Sequence, residues 1–280
     1  MKILTWNIQW GLGIDRRLDL ARIAEHIKAS DPDVICLQEV ADNMPDLAGS
    51  KGEDQFAALA SLLPGYAACE GPGLTSYDVG GRRRFGNMIL SRAPVRQMRL
   101  HSLPWMADGR RSLPRALLEV MVEAPWGPLR IMTTHLEYFS HAARAAQVEA
   151  ILRIYGEGAH RAAHPPEPML GPFAPLPHAL STVLTGDFNM KPDDPTKQRL
   201  SQPIADAHAL LDAWSIAHAD EPHPPSFCIA DQTYGEPHCC DYIFVSADLA
   251  VSVADMICDG ETRPSDHQPV TLRLKSAPSD

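Results

Sequence analysis

The stretch Thr185-Gly186-Asp187-Phe188-Asn189 directly follows the apolar run Thr182-Val183-Leu184. A short, β-branched run predicts a buried strand, and Gly186 allows the chain to turn sharply where that strand ends. Asp187 and Asn189 are two residues apart, so their side chains would point the same way if the strand continued through them. Together they offer a carboxylate and a carboxamide, which can hold and polarise one water molecule. The alternative for an Asp-x-Asn sequence is an Asx turn that caps the next helix.

Length and composition predict one large globular domain. The chain has 280 residues, of which 45% are hydrophobic, so we expect a single domain over residues 1–280. No run of about 18 apolar residues occurs, and no membrane span is therefore expected. The segment from Met1 to Asn7 lacks the apolar stretch and the cleavage site of a signal peptide, which predicts a cytoplasmic protein.

The charge and the cysteines exclude some classes of function. A formal net charge of −10 argues against a broad grip on a nucleic-acid backbone, which relies on Lys and Arg. A local basic patch or a bound metal could still supply positive charge. The six cysteines include no C-x-x-C pair, so neither structural zinc nor a disulfide framework is expected. The run Arg82-Arg83-Arg84 fits either a solvated surface or a patch that steers a phosphate.

Apolar periodicity predicts many strands and few helices. Predicted strands lie at 2–8, 34–37, 86–92, 95–100, 115–122, 129–134, 182–184, 242–245, 249–253 and 270–274. Predicted helices are one that ends near 30–32, and those at 56–63 and 141–156. The segment 71–84 is polar and glycine-rich, and 165–177 reads as a proline-rich surface loop. The turns between strands near 94 and 127 favour antiparallel pairing. A parallel crossover in the first 40 residues would bring Asn7 and Glu39 to neighbouring strand ends.

Polar residues stand at the ends of these separate apolar runs. They are Asn7, Glu39, His135, Asp187, Asn189, Asp241 and the triplet Ser265-Asp266-His267. Carboxylate and amide oxygens are hard ligands that suit Mg²⁺ or Mn²⁺ better than zinc. The two imidazoles can donate hydrogen bonds to a phosphate or relay a proton. Taken singly, Asn7 also fits a turn cap and Glu39 a solvated loop residue.

The motifs occur in an order that resembles a known family. They are TWNIQ (5–9), LQEV (37–40), GNMILSR (86–92), TTHLE (133–137), TGDFN (185–189), CCDYIFVS (239–246) and SDHQPV (265–270). This ordered set is similar to the endonuclease/exonuclease/phosphatase superfamily of metal-dependent phosphoesterases. The resemblance implies a four-layer α/β sandwich, in which two packed, mixed and mostly antiparallel β-sheets are flanked by helices, as in deoxyribonuclease I. Each motif by itself is weak evidence for the superfamily. The ordered series is specific for the superfamily, but it does not identify the substrate.

The resemblance implies roles for the residues that handle the metal and the water. Glu39 corresponds to the principal metal ligand, and Asn7 and Asp266 help to form the same Mg²⁺ or Mn²⁺ site. Asp187 corresponds to the residue that orients or deprotonates the attacking water. Asn189 would hold the same water or a phosphate oxygen.

The resemblance also implies which residues contact the phosphate. His267 corresponds to a histidine that contacts the phosphate, and Asp241 to the carboxylate that orients its imidazole and favours its charged form. His135 would lie across the phosphate as a donor or acid. Arg115 is a weaker match to a phosphate-contacting arginine.

The function that follows is hydrolysis of a phosphodiester by in-line attack of water, with nucleic acid among the candidate substrates. A long duplex is disfavoured, because the chain lacks the aromatic and basic stretches that such binding needs. One alternative is a phosphomonoesterase for a sugar or inositol phosphate, whose basic pocket would have to come from 82–84, Arg110, Arg111 and Arg115. Another is a catalytically silent scaffold, which the complete set of site residues disfavours. The loop 165–177 would either cover the site or be an idle insertion, and the sequence leaves the oligomeric state open.

Overall fold

Two six-stranded β-sheets form the centre of the molecule. The computed structural model describes residues 1–219 and 221–275. The strands are β1 (Lys2–Asn7), β2 (Val34–Asp42), β3 (Ala67–Asp78), β4 (Gly81–Ser91), β5 (Val95–Ser102), β6 (Ala116–Ala124), β7 (Gly127–His135), β8 (Thr182–Asp187), β9 (Leu210–Asp212), β10 (Asp241–Ser246), β11 (Val253–Cys258) and β12 (Val270–Leu274). The helices are α1 (Leu20–Ser30), α2 (Gln55–Leu62), α3 (His141–Ala163), α4 (Pro195–Leu200) and α5 (Ala213–His218), with 3-10 turns at Gln9–Gly11, Gly171–Phe173 and Ala247–Ser252.

Each sheet is mixed, and most of its strand pairs are antiparallel. The strand order is β11-β12-β1-β2-β4-β3 in the first sheet and β5-β6-β7-β8-β10-β9 in the second. The parallel pairs are β1 with β2 and β7 with β8, and helices α1 and α3 make the two crossovers. The predicted two-sheet sandwich and the predicted parallel crossover are both confirmed.

Alternation along the strands explains why the molecule has four layers. Ile3 and Val183 belong to the apolar core between the sheets, whereas their neighbours Leu4 and Leu184 pack on the opposite faces. Those outer faces are covered by α1 and α2 on the first sheet and by α3 on the second. A sheet that is buried on both faces needs apolar residues at successive positions, which is why the strands read as continuous apolar runs. Among the described residues, none of the helices has the length and apolar composition needed to cross a bilayer.

Three segments differ from what local pattern predicts. The polar segment 71–84 forms most of the β3–β4 hairpin, in which charged side chains pair with each other; Arg84, for example, bonds Asp42 and Glu70. The strand predicted at 249–253 is wrong, because this segment is mainly the 3-10 turn and strand β11 begins only at Val253. A short apolar run fits either conformation, so its spacing alone could not decide. Helix α3 also continues beyond the predicted 141–156.

A buried ion cluster in the second sheet yields a test of stability. Glu119 accepts hydrogen bonds from Arg130 Nη2 at 3.0 Å and contacts His101 Nε2 at 2.8 Å. Burial by itself would raise the pKa of Glu119, but the hydrogen bond with His101 and the charge of Arg130 lower it from 4.5 to about 2. The folded carboxylate is therefore ionised more readily than the unfolded one, and its stabilising effect is lost as the pH falls through this window.

We therefore expect the stability advantage of the wild type over Glu119→Gln to shrink between pH 4.5 and about 2. The slope should be up to about 1.4 kcal/mol per pH unit. Urea unfolding of both proteins at several pH values measures it, with the exposed Glu123→Gln as control. A difference that does not change with pH would contradict the ionic role of Glu119.

Candidate active site

Nine residues singled out by the sequence meet at one cavity of about 490 Å³, where strand ends from both sheets converge. Seven of them line the cavity: Glu39, Arg115, His135, Asp187, Asn189, Asp266 and His267. The other two lie directly behind it. Asn7 Nδ2 donates to Asp187 Oδ2 at 3.0 Å, and Asp241 Oδ2 lies 2.9 Å from His267 Nδ1.

Sheet register accounts for much of this convergence. His135 is the last residue of β7 and stands opposite Asp187 at the end of β8. Asp187 in turn stands opposite Asp241, the first residue of β10. Three distant motifs therefore form one row across the second sheet. In the first sheet, Asn7 at the end of β1 stands opposite Gln38, the residue before Glu39.

A β-bulge places Glu39. The pairing of β2 with β4 shifts between Leu37 and Val40, so residues 38 and 39 together face Asn87. Glu39 has a φ of 61°, a left-handed conformation that is rare for residues other than glycine. Backbone strain of this kind occurs at functional sites, where the surrounding structure holds a side chain in the orientation that function requires. Here the carboxylate of Glu39 lines the cavity.

Glu39 and Asp266 form a carboxylate pair that suits a divalent cation. Burial, followed by the charge of Asp266, raises the pKa of Glu39 to about 7. Burial also raises the pKa of Asp266. A hard cation would favour the ionised forms of both groups, and carboxylates with an amide neighbour are the donors that Mg²⁺ and Mn²⁺ prefer. The donor chemistry of the site thus fits the metal that the sequence predicts.

Gln9 is a site residue that the sequence reasoning missed. Its Nε2 donates to Asp266 Oδ2 at 2.8 Å, and its backbone N–H donates to Asn7 Oδ1 at 3.0 Å. Gln9 and Trp10 both have a φ of 44° in the 3-10 turn that follows β1. Gln9 lies within the motif TWNIQ, two residues after Asn7. This position could have marked it in the sequence as a site residue.

The central motif forms the Asx turn that was the alternative reading of its sequence. Strand β8 ends at Asp187, whose Oδ1 accepts a hydrogen bond from the Asn189 N–H at 2.9 Å. The turn does not cap a helix, because α4 begins at Pro195 with Asp194 as its cap. Instead, Asn189 Nδ2 donates to Leu136 O at 2.9 Å, which fixes the carboxamide beside Asp187.

Gly186 is required where the sequence predicts a sharp turn. It has a φ of 143°, and a Cβ atom at this position would collide with the carbonyl oxygen of Thr134 on the neighbouring strand. Only glycine therefore allows β7 and β8 to approach so closely beside Asp187.

His267 is held in its charged form by a chain of polar groups. Its Nδ1 contacts Asp241 Oδ2 at 2.9 Å, and its Nε2 lies 3.7 Å from Asp187 Oδ2. Burial alone would lower the pKa of His267, but the carboxylates of Asp241 and Asp187 raise it well above the usual value. His267 is therefore an imidazolium at neutral pH, with both ring nitrogens as donors.

His135 has the opposite protonation state. Its Nε2 lies 3.4 Å from Asp187 Oδ2 and its Nδ1 lies 3.9 Å from Glu39 Oε1. Burial, together with the positive charge of Arg115, lowers the pKa of His135 to about 3. It is therefore neutral at pH 7. Two histidines with different environments thus provide a cationic donor and a neutral hydrogen-bonding group in one cavity.

Arg115 is a cation with donor capacity available inside the cavity. It is only 7% exposed, and its contact with a carboxylate, Glu137 Oε2, is long at 3.9 Å. Its Nε is buried and has no hydrogen-bond partner. Burial lowers the pKa of Arg115, but a guanidinium stays protonated at neutral pH.

The other arginines do not make a basic pocket. Arg83 bonds Asp46 and Asp78, and Arg84 bonds Asp42 and other carboxylates. Neither predicted alternative describes the whole run, because Arg84 is only 7% exposed and is paired with Asp42 and Glu70. Arg110 donates to a backbone carbonyl, and Arg111 is the other arginine that lines the cavity. The cavity thus contains two arginines, Arg111 and Arg115.

A second cluster of potential ligands is better explained as a hydrogen-bond network. One ligand atom each from Asp187, Cys240, Asp241 and His267 lies within 4.8 Å of the others. Burial raises the pKa of the Cys240 thiol well above its usual value, and the charge of Asp241 raises it further. A protonated thiol is a poor ligand. Asp241 and His267 also bond each other through atoms that a metal would need.

Ser226 also belongs to this network, and the sequence reasoning missed it because no spacing rule marks it. It is fully buried, and its Oγ donates to Asp241 Oδ2 at 2.7 Å. The same oxygen lies 3.1 Å from the N–H groups of Cys240 and Asp241. Ser226 therefore fixes the carboxylate that orients His267.

We expect Ser226→Ala to lower kcat about tenfold with little change in KM, since one hydrogen bond to a charged group is worth roughly 1.5–3 kcal/mol. The pH–rate profile should shift as well, which loss of packing alone would not cause. Ser61→Ala, an exposed helix position, is the control. Unchanged kcat with reduced thermal stability would show that Ser226 is only structural.

The sequence matches a family model. The model described as "Endonuclease/Exonuclease/phosphatase family" matches residues 4–267. No curated protein matches the chain.

Solved structures share the same architecture. An endonuclease/exonuclease/phosphatase from Beutenbergia cavernae is 25% identical with a TM-score of 0.69, over 100% of this chain and 73% of that one. The mannosyl-6-phosphatase Bt3783 of Bacteroides thetaiotaomicron is 17% identical with a TM-score of 0.68, over 98% and 99%. The human Nocturnin catalytic domain is 19% identical with a TM-score of 0.64, over 97% and 92%. The last two likenesses show a shared fold.

Proposed function

Because the chain belongs to the Endonuclease/Exonuclease/phosphatase family, we propose that it hydrolyses a phosphodiester bond with the help of Mg²⁺ or Mn²⁺. One observation carries this proposal. The carboxylate pair Glu39 and Asp266, the water-handling pair Asp187 and Asn189, and cationic donors all line the same cavity. Each of these groups has a distinct role in phosphoryl transfer. A purely structural core would not require all of them in one cavity.

Asp187 and Asn189 position the attacking water. The Asx turn fixes the two side chains relative to each other, and Asn7 holds the other carboxylate oxygen of Asp187. A carboxylate so anchored can orient a water and accept its proton as the oxygen attacks phosphorus. Glu39, Asp266 and Asn7 would hold the Mg²⁺ or Mn²⁺ ion, which when bound neutralises charge on a phosphate oxygen and on the leaving oxygen.

His267 and Arg115 stabilise the charge that develops on the phosphoryl oxygens. Both are cationic and buried, and their hydrogen bonds gain strength in a site of low dielectric. His135, being neutral, donates a hydrogen bond without adding charge. Asp241 keeps the imidazolium of His267 in place during the reaction.

A phosphomonoester is the second candidate. The fold relative Bt3783 is a mannosyl-6-phosphatase, and the same groups would stabilise hydrolysis of a monoester. A monoester carries more negative charge than a diester, whereas this cavity offers two arginines. We therefore favour the diester. We disfavour a catalytically silent scaffold because the nine residues predicted from the sequence lie at one cavity or directly behind it.

A substrate panel with Mg²⁺ and with Mn²⁺ tests the proposal. It should include bis-p-nitrophenyl phosphate, p-nitrophenyl phosphate, single- and double-stranded DNA, a 5′-tyrosyl oligonucleotide, sphingomyelin and inositol phosphates. We expect turnover of bis-p-nitrophenyl phosphate that EDTA abolishes and added metal restores. Faster turnover of monoesters would favour the second candidate. Absence of all turnover, with no metal-induced thermal shift, would favour the scaffold.

A further inference from the structure

The catalytic end of the cavity is formed by seven residues, and the remaining walls are mostly apolar; the seven are Glu39, Arg115, His135, Asp187, Asn189, Asp266 and His267. Trp10 and Met44 come from the segments that follow β1 and β2, while Leu74 and Phe85 come from the β3–β4 hairpin. A volume of about 490 Å³ lies in the roughly 300–1,000 Å³ range of small-molecule pockets. An apolar cavity of this size, next to polar groups that converge, selects a ligand with an apolar part.

Aromatic rings continue from the catalytic end toward solvent. Phe227 stacks on the imidazole of His267 with ring centroids 4.4 Å apart, and Tyr234 lies nearly parallel to Phe227 at an interplanar angle of 20°. On the chain segment after β7, Tyr138 and Phe139 are each 43% exposed although they line the cavity. Half-exposed aromatic rings that line the same cavity as His267 offer surfaces on which a planar group can stack.

The charged residues of the cavity limit how many phosphates the ligand can carry. Beyond the catalytic end, Arg111 is the charged residue among those lining the cavity. Arg83 and Arg84 are already bonded to carboxylates and cannot serve a second phosphate. A polynucleotide backbone or an inositol polyphosphate would need several more cations. The walls therefore fit a ligand with one phosphate.

We propose that the substrate is a small phosphodiester that carries a single phosphate and an aromatic substituent. The phosphate lies among Arg115, His135 and His267, and the substituent packs on the aromatic and apolar walls. This inference rests on the proposed phosphoesterase function, and it adds which part of the substrate the cavity selects.

Binding without turnover is the first test. Phenylphosphonate and methylphosphonate carry a P–C bond, so neither is hydrolysed, and calorimetry in the presence of Mg²⁺ compares them directly. We expect phenylphosphonate to bind at least about tenfold more tightly, the effect of burying one aromatic ring. Phe139→Ala should reduce this preference severalfold, and since Phe139 is 43% exposed, the substitution removes little core packing. Phe85→Ala should act in the same direction.

The matched control is Tyr77→Ala, on the same hairpin as Phe85. Tyr77 is 77% exposed and does not line the cavity, so the preference should stay unchanged. Equal affinity for the two phosphonates would overturn the proposal. So would tighter binding of octylphosphonate than of phenylphosphonate, which would assign the walls to an alkyl chain.

Turnover is the second test, with 2,2,2-trifluoroethyl phosphodiesters whose second substituent is methyl or benzyl. The trifluoroethanol leaving group is the same in both and carries no ring, so kcat/KM reports on the second substituent. We expect the benzyl ester to be preferred by about tenfold or more. Equal hydrolysis of both esters, or a strong preference for oligonucleotides, would contradict the substrate class while leaving the phosphodiesterase function intact. No hydrolysis of any ester would instead contradict the proposed function.

Discussion

Glu39→Ala is expected to remove nearly all metal-dependent hydrolysis. Glu39 and Asp266 are the carboxylates whose ionised forms a divalent cation would favour, and Asn7 Nδ2 bonds Glu39 Oε1 at 3.2 Å. Without the Glu39 carboxylate, the site keeps one acidic ligand and loses most of its affinity for Mg²⁺. We expect a fall in kcat/KM on the order of 10³-fold or more. The thermal shift that Mg²⁺ or Mn²⁺ produces should disappear in parallel.

The same residue predicts a cost to stability that can be measured apart from activity. Burial raises the pKa of Glu39 in the folded protein to about 7, whereas the same carboxyl group in the unfolded chain is fully ionised at pH 8. Ionised Glu39 therefore lowers the free energy of unfolding at pH 8. Glu39→Gln should therefore melt at or above the wild-type temperature in EDTA at pH 8, although it is inactive. Glu53→Gln, outside the cavity, is the control. Full activity in Glu39→Ala would rule out the metal assignment.

Asp187→Asn is expected to lower kcat by on the order of 10³-fold with the fold intact, because it removes the group that orients and deprotonates the water. Asparagine has the same shape, and its Oδ1 can still accept the hydrogen bond from the Asn189 N–H. The Asx turn should therefore survive. Single-turnover kinetics on bis-p-nitrophenyl phosphate, together with circular dichroism, separate the loss of chemistry from loss of structure.

Asp248→Asn, at the start of a surface 3-10 turn, is the control for this change. Its activity should equal that of the wild type. If Asp187→Asn keeps more than about a tenth of the wild-type kcat, which a missing base would not allow, the role of base passes to another group. His135 is the next candidate, since its Nε2 lies 3.4 Å from Asp187 Oδ2.

The sequence alone determined most of the strands and nine of the residues that lie at the cavity or directly behind it. Strands buried on both faces read as apolar runs, and a polar residue at the end of such a run marks the place where the chain leaves the core. Asn7, His135, Asp187 and Asp241 were found in this way, and all four lie at strand ends. The ordered motifs then indicated the family. Apolar runs and short motifs are local features of the sequence, so they can be recognised without the tertiary structure.

Only the tertiary structure decided how those residues work together. The bulge at Glu39, the register that aligns His135 with Asp187, and the bond from Ser226 to Asp241 all depend on segments far apart in the chain. The same is true of protonation. His135 and His267 are the same residue type, yet burial and the charge of Arg115 keep the first neutral while Asp241 keeps the second charged. Charge and hydrogen bonding act through space, and spacing along the sequence does not encode those distances.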